Sequence, residues 1–368
     1  MLRIDRRLLA HFDWALLASV LLVVGCGLVT VLSATRGPDG LVSSVLLRQA
    51  MWVALGLVAL VVVQGFDYHW LDRYAYVLYA GTVALLVATA ALGAFGGGAR
   101  RWISIGPIAI QPSEFAKLGL VLSLARYLHR QMEPGAGLSL RMLVVPAMLL
   151  GLPAVLVLKQ PDLGTAIVLV LTTGALLLMA GLRLRLVLVL ALVAVPAVPY
   201  LWQHLKPYQQ RRVLTFINPD ADPLGAGYHI IQSKIAIGSG MLDGKGFLHG
   251  TQNRLNFLPE QHTDFIFAVF SEEWGFIGGC VLLALYMVLL TRCFLVAWRA
   301  RDNFGALVAF GLTAAIFSQV LVNIAMATGA LPVVGITLPF LSYGGSSMLT
   351  CLIAVGLLLN ISMRRFTF

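Results

Sequence analysis

Asp264 stands where a polar run, His262-Thr263-Asp264, meets a long apolar stretch. A carboxylate at such a boundary can take a proton from a polar substrate while the rest of that substrate stays in an apolar phase, which is general-base chemistry. Ser271, Glu272 and Glu273 follow in the same stretch, Ser271 falling about two helical turns below Asp264. Helix capping would account for Asp264 alone, but not for a neighbouring histidine and two further acids inside an apolar run. Three other groups can carry charge or bind it. In Gln111-Pro112-Ser113-Glu114-Phe115-Ala116-Lys117, Ser113 reads as a helix cap, and Glu114 and Lys117, three apart, share one helical face. That pair either neutralises itself in the bundle or lines a polar cavity with Arg101 and Trp102 at its rim. In Lys159-Gln160-Pro161-Asp162, the aspartate opens a helix, where a carboxylate suits the positive end of the dipole. Capping and a binding role beside Lys159 are both open for Asp162. The stretch Leu331 to Ser347 has no charge, two prolines and several glycines, and reads as a re-entrant loop at about 330–345, because non-helical backbone at membrane depth survives only inside protein or beside a water-filled cavity.

The elements that must hold these residues are read from hydropathy. The chain has 368 residues, 59% apolar and 11% charged, against roughly 25% charged in an ordinary soluble domain. Apolar blocks near the 20 or so residues that one bilayer span needs recur at 14–33, 44–64, 72–93, 113–129, 142–158, 163–181, 185–201, 265–290, 304–328 and 346–363. The expected fold is therefore an all-α integral membrane protein of about ten transmembrane helices, one polytopic domain over residues 1–368. The first block follows Arg3, Arg6 and Arg7 and lacks a small-residue cleavage site, so it reads as an uncleaved helix. Cys26, Cys280, Cys293 and Cys351 show no metal or disulfide spacing.

The net charge of +10 does not point to nucleic acid, since the basic residues sit singly or in pairs at the edges of apolar blocks. With both termini cytoplasmic, the inner segments are rich in arginine, as the positive-inside rule requires. Arg36, Arg48, Arg100, Arg101, Lys117, Lys159, Lys206, Arg211, Arg212, Lys234, Lys245 and Arg254 then fall on the outer side or inside a span. Long loops tolerate some of these cations, but Arg101, Lys117 and Lys159 flank short connections or lie within a helix. The segment 202–264 is the one long connection, an extracytoplasmic loop with the turn Asn218-Pro219-Asp220 and a short amphipathic helix over Tyr228–Gly238. Loops of that length are uncommon unless functional.

These motifs carry a resemblance. Asn323, Gly329, Pro332, Gly335, Leu338-Pro339-Phe340 and Ser342-Tyr343-Gly344-Gly345-Ser346-Ser347 resemble the signature of the SEDS proteins (shape, elongation, division and sporulation), as do Gln111 to Lys117, Gln160-Pro161-Asp162-Leu163-Gly164-Thr165-Ala166, Leu258-Pro259-Glu260 and His262-Thr263-Asp264-Phe265. Gly250-Thr251-Gln252 and the short tails are similar to the elongation branch of that family. The resemblance implies a peptidoglycan glycosyltransferase of the cytoplasmic (inner) membrane that polymerises lipid II at the outer face. It further implies a class B penicillin-binding protein as partner, among other elongation-complex membrane proteins, and Asp264 as the essential carboxylate.

Such chemistry needs a base for the acceptor hydroxyl and positive charge for the departing lipid pyrophosphate. Asp264 is the expected base, with the helix N-terminus and nearby cations keeping it ionised. Arg48, Arg101, Glu114, Lys117, Lys159, Asp162, Arg211, Arg212 and His262 are the expected substrate-binding residues, and a divalent cation, Mg or Mn, is an alternative source of charge. Two rival classes share parts of the pattern. A lipid II flippase or transporter would distribute its charges through the span rather than gather them at the outer half. A non-catalytic scaffold would have no use for Glu114, Lys117 and Asp264.

Overall fold

The computed structural model describes residues 11–36, 43–92, 94–96, 99–105, 108–132, 137–183, 185, 188–189, 192, 196, 202–203, 207–218, 226–255, 257–258 and 260–365. Its helices are α1 (Trp14–Thr35), α2 (Ser44–Gln64), α3 (His69–Leu92), α4 (Pro112–Gln131), α5 (Val144–Lys159), α6 (Leu163–Met179), α7 (Pro207–Ile217), α8 (Ala226–Ser239), the single turn α9 (Thr251–Arg254), α10 (Ile266–Trp298), α11 (Asn303–Ala327) and α12 (Gly345–Arg364). Nine of the ten expected spans are thus helices, within a few residues of the expected bounds at most ends; the span at 185–201 lies outside the described residues, save for isolated positions. Among the described residues, seven helices are long and apolar enough to cross a bilayer. The two remaining spans fall short for plain reasons: α4 carries Glu114, Lys117, Arg126 and Arg130, and α6 has only 17 residues. Large apolar side chains such as Leu22, Val58, Val77, Met148 and Val281 cover the outer surface, a face that water disfavours and lipid accepts. The chain is a multi-pass membrane protein.

The helices begin where their sequences supply caps. Asp13 accepts from Leu16 N at 2.9 Å, Asp162 from Thr165 N at 3.1 Å and Asp302 from Gly305 N at 2.9 Å, each satisfying an otherwise orphaned amide. The helix expected to end near residue 290 runs on to Trp298. Arg292 does not stop it, because its guanidinium reaches both Asp13 oxygens at 2.7 Å, so the charge is neutralised inside the bundle. α10 is instead broken at Gly275, whose φ of 64° and ψ of −165° only glycine adopts readily. The loop after α8 fills the break. Lys245 N and Gly246 N donate to the carbonyls of Glu272 and Glu273 at 3.0 Å, while Phe276 N and Ile277 N donate to Met241 O and Leu242 O at 2.8 and 3.1 Å.

At the centre lies α12, buried along almost its whole length. It runs parallel to α2: Gln49 near the start of α2 bonds to Ser342 and Gly344 just before α12, and Asn360 near the end of α12 bonds to Val63 and Phe66 at the end of α2. Between α11 and α12 the chain is non-helical, yet Val334, Ile336, Leu338, Phe340, Leu341 and Ser342 are buried, as the re-entrant reading requires. Three features were not expected. α7 forms within the long loop, ahead of the expected amphipathic helix, which is α8. Short strands β1 (Ala94–Gly96), β2 (Ala99–Ile105) and β3 (Ile108–Ile110) form an antiparallel sheet, order β1-β2-β3, between α3 and α4. Ser113 does not cap α4: the cap position is Gln111, and Ser113 Oγ instead donates to Asp162 Oδ2 at 3.3 Å.

Candidate active site

Asp264 lies in the turn that leads into α10, on the wall of a cavity of about 260 Å³ lined by Arg212, Thr215, His229, Ile230, Glu260, Phe265 and Val333. α7 supplies Arg212 and Thr215, α8 supplies His229 and Ile230, and the buried loop supplies Val333. The cap position of α10 is Phe265. Among the described residues, no hydrogen bond or ion pair reaches the Asp264 carboxylate, so it is not a capping residue. Gly335, at φ 74°, forms the wall beside it: a Cβ there would stand 3.4 Å from Asp264 Oδ2.

Burial raises the Asp264 pKa, and the nearby carboxylate of Glu260 raises it further, to about 6; Arg212 and Arg101 oppose the shift and Asp162 adds to it. Arg212 and Arg101 act in the expected direction, toward the ionised form, but they do not set the net shift. Desolvation and a like charge outweigh them. The outcome is a carboxylate with unusual affinity for a proton, as a general base working near neutral pH needs.

The other expected residues separate into groups. Arg212 shares the cavity with Asp264. Arg101 is turned toward the α5–α6 connection, where its Nε donates to Gln160 O at 2.8 Å and an Nη donates to Pro161 O. Its charge still reaches Asp264, but two of its donors are engaged with backbone. Asp162 is buried and saturated: besides capping α6, its Oδ2 accepts from Gln111 Nε2 at 3.2 Å, Ser113 Oγ at 3.3 Å and Thr165 Oγ1 at 2.9 Å. The structural reading wins there. Glu114 and Lys117 form a buried ion pair at 2.8 Å, and Thr350 Oγ1 donates to Glu114 at 3.2 Å. They face a small recess with Gln319 and Cys351, apart from the Asp264 cavity. His262 is half-buried, tilted against Tyr343 with ring centroids 5.7 Å apart, and burial lowers its pKa against the pull of Glu260. Arg48 and Lys159 are exposed and do not line the cavity. Lys206 and the side chains of Arg100, Arg211 and Arg254 lie outside the described residues, as do Pro219 and Asp220 of the expected turn.

Sequence reasoning passed over Glu260, Thr215 and His229. Glu260 stood in plain view four residues before Asp264; its φ of 51° and the Thr263 Oγ1 bond to its Oε2 at 3.0 Å fold it back over the turn. His229 lay in the expected amphipathic helix and stacks on Phe265 at 6.1 Å; burial lowers its pKa. The two acids below Asp264 serve the fold. Glu272 Oε1 pairs with Lys245 at 2.6 Å and accepts from Gln252 N at 3.1 Å, and Glu273 accepts from Ser33 Oγ. Among the described residues, no three His, Cys, Asp or Glu side chains converge as metal ligands. The chemistry below is derived from the chain's own groups.

A lipid-facing helical bundle with two carboxylates, Asp264 and Glu260, and Arg212 around one cavity at its rim defines a polytopic membrane protein with a charged site. The chain belongs to the FtsW, RodA and SpoVE family, whose model, described as a cell cycle protein, matches residues 12–366. It is similar to the peptidoglycan glycosyltransferase MrdB of Escherichia coli K12, 42% identical over 356 residues that cover 96% of this chain and 94% of that protein. The peptidoglycan glycosyltransferase RodA of Treponema pallidum is 34% identical, with 97% of this chain and 98% of that one covered. A chain from a peptidoglycan synthase complex, solved to show how polymerization and crosslinking are coordinated, superposes with a TM-score of 0.84 at 35% identity, over 97% of this chain and 99% of that one.

Proposed function

We propose that this chain is a peptidoglycan glycosyltransferase that polymerises lipid II at the outer face of the cytoplasmic membrane during cell elongation, with both termini in the cytoplasm and a class B penicillin-binding protein as partner. The observation that carries the reading is the Asp264 carboxylate, held without a partner among the described residues in a cavity that Arg212 shares. The names of its relatives support the same activity.

In this reaction the 4-hydroxyl oxygen of an acceptor N-acetylglucosamine attacks the anomeric carbon of the donor. The bond from that carbon to the pyrophosphate oxygen breaks, and its electron pair leaves with the lipid pyrophosphate. The hydroxyl proton passes to Asp264, a transfer typically worth about 10²–10⁴-fold. Glu260 keeps Asp264 basic by repulsion, and Arg212 supplies positive charge in the same cavity, where low dielectric strengthens it. The apolar rim lets the lipid tail remain in the bilayer while the sugars meet the polar turn. A single base suffices because pyrophosphate is a fair leaving group without a general acid.

The test is lipid II polymerisation by purified protein with its partner in detergent, where transport has no meaning. Product formation separates an enzyme from a flippase or scaffold, and an inactive wild type would end the reading. Orientation is tested by cysteines at Ser239 and Gly135: an impermeant thiol reagent should reach the first from outside and not the second.

A further inference from the structure

Three successive backbone carbonyls lead into the active-site helix, and each is held from across the bundle. Tyr343 N donates to His262 O at 2.8 Å. Ser342 Oγ donates to Thr263 O at 2.6 Å, and Asn323 Nδ2 to Asp264 O at 2.9 Å. Both side chains reach the buried loop as well: Asn323 Nδ2 donates to Ile336 O at 2.6 Å, and Ser342 Oγ accepts from Leu338 N at 2.8 Å. Gln49 secures the loop in turn, donating to Ser342 O at 3.1 Å and accepting from Gly344 N at 3.2 Å. Asn323 and Ser342 are buried, and neither lines the Asp264 cavity.

A carboxylate with no hydrogen-bond partner among the described residues takes its direction from its backbone. Rotation of the peptide planes on either side of Asp264 would swing the Cα–Cβ bond, and misplacement by about 1 Å can cost a reaction 10²-fold. We propose that Asn323 and Ser342 are positioning residues: by fixing the carbonyls of Asp264 and Thr263 against the Ile336–Leu338 backbone, they set the direction in which the Asp264 carboxylate enters the cavity. Neither touches substrate. Asn323 is well suited because one amide nitrogen spans two carbonyls on different segments, and Ser342 because one hydroxyl both donates and accepts. The inference rests on the glycosyltransferase reading of the same site.

The experiment measures initial rates of lipid II polymerisation against pH for the full chain with its partner, each rate referred to the amount of protein that binds lipid II. Asn323→Ala and Ser342→Ala should each lower the rate per binding-competent protein by at least about tenfold, the size expected of a base out of line. They should also move the acid limb of the pH profile to lower pH. The reason is that a loosened carboxylate leaves its buried wall, with the charged groups around it unchanged: Glu260 in the same turn, Arg212 on α7, His229 on α8, Arg101 on β2 and Asp162 before α6. Ser342→Thr keeps the hydroxyl and should restore most of the lost rate. A purely structural role would lower the yield of competent protein and leave the acid limb in place. Should Asn323→Ala not fold, the Ser342 pair decides alone. Wild-type rate per competent protein, or an unmoved acid limb, in Ser342→Ala overturns the proposal; an inactive wild type fails the glycosyltransferase reading instead.

Discussion

Two buried asparagines hold broken backbone at opposite ends of the bundle, and they differ in what they leave over. Asn360 on α12 donates to Val63 O at 2.8 Å and Phe66 O at 2.5 Å, and its own Oδ1 accepts from Arg364 Nε at 3.1 Å. Asn323 on α11 likewise donates to two carbonyls, but its Oδ1 is buried with no partner among the described residues. Most carboxylates around Asn360 are paired, although Arg126 Nε there is buried with no partner among the described residues. At the Asn360 end Tyr68 donates to Asp302, His69 meets Asp67 at 2.7 Å, and His129 meets Asp72 at 3.2 Å. At the Asn323 end the Asp264 carboxylate has no partner among the described residues and lies beside Gly335, in the left-handed region. A closed polar network stabilises and specifies a fold. An open one costs stability and leaves interactions for a ligand to complete, which is where function resides.

The largest contrast between the ends should come from Asp264→Asn. Polymerisation should fall by about 10²–10⁴-fold, the usual worth of a positioned base. The melting temperature should hold or rise, since a half-buried carboxylate beside Glu260 is replaced by a neutral group of the same shape. Glycan product and a thermal melt on the same preparation check both halves. A variant that polymerises at the wild-type rate, or one that loses its fold, breaks the distinction drawn here.

Glu114 and Lys117 test whether a closed pair can lie close to the open end. Removing one partner leaves a buried charge without compensation and should cost about 3–5 kcal/mol, read as a lowered melting temperature and poor yield. Glu114→Ala with Lys117→Ala should recover much of that stability, since the two couple strongly. If the double variant also polymerises near the wild-type rate, the pair is structural; if it is stable and inactive, its recess belongs to the reaction.

Which of these features could be read beforehand follows from their range. The spans were legible because an apolar block of bilayer length has one stable solution in lipid, and Asp264 because a carboxylate at the head of such a block demands a reason. The non-helical stretch between α11 and α12 was legible from Pro332, Gly335 and Pro339. What sequence could not give was partner choice. Nothing local shows that Arg101 would bond to Gln160 and Pro161 or that Asp162 would be saturated by Gln111 and Ser113 from another helix. The weight of Glu260 was equally hidden, because whether a neighbour four residues away raises a pKa depends on the turn folding back and on burial. β2 and β3 were missed because seven- and three-residue strands in a loop leave almost no periodic signal.

A smaller effect is expected at the closed end. Asp302 caps α11 and accepts from Tyr68, so Asp302→Ala should cost about 0.5–2 kcal/mol, the usual range for a lost N-cap. Polymerisation per folded protein should be unchanged, because the residue lies a helix length from Asp264. A rate loss larger than the loss of folded protein would mean that the ends are coupled.

The smallest effect, and the sharpest, is expected of Glu260→Gln. Asp264 acts as a base only when ionised, so with its pKa near 6 the rate should fall as pH drops through that value. Burial is the first cause of the raised pKa and remains in the variant; repulsion from Glu260 is the second and is removed. Arg212 and Arg101 still favour the ionised form, and Asp162 still opposes it. The Asp264 pKa should therefore move down toward the ordinary carboxylate range, and the acid limb of the pH–rate profile should move down with it. At neutral pH Asp264 is mostly ionised in either protein, so the rate there should drop only modestly, through the lower basicity of the carboxylate. The pKa of His229, which Glu260 raises against burial, should fall further. Profiles of the wild type and Glu260→Gln from pH 5 to 8, measured at saturating lipid II, read the shift directly. A limb that stays fixed would mean that another group sets it, and one that moves up would reverse the sign assigned to Glu260.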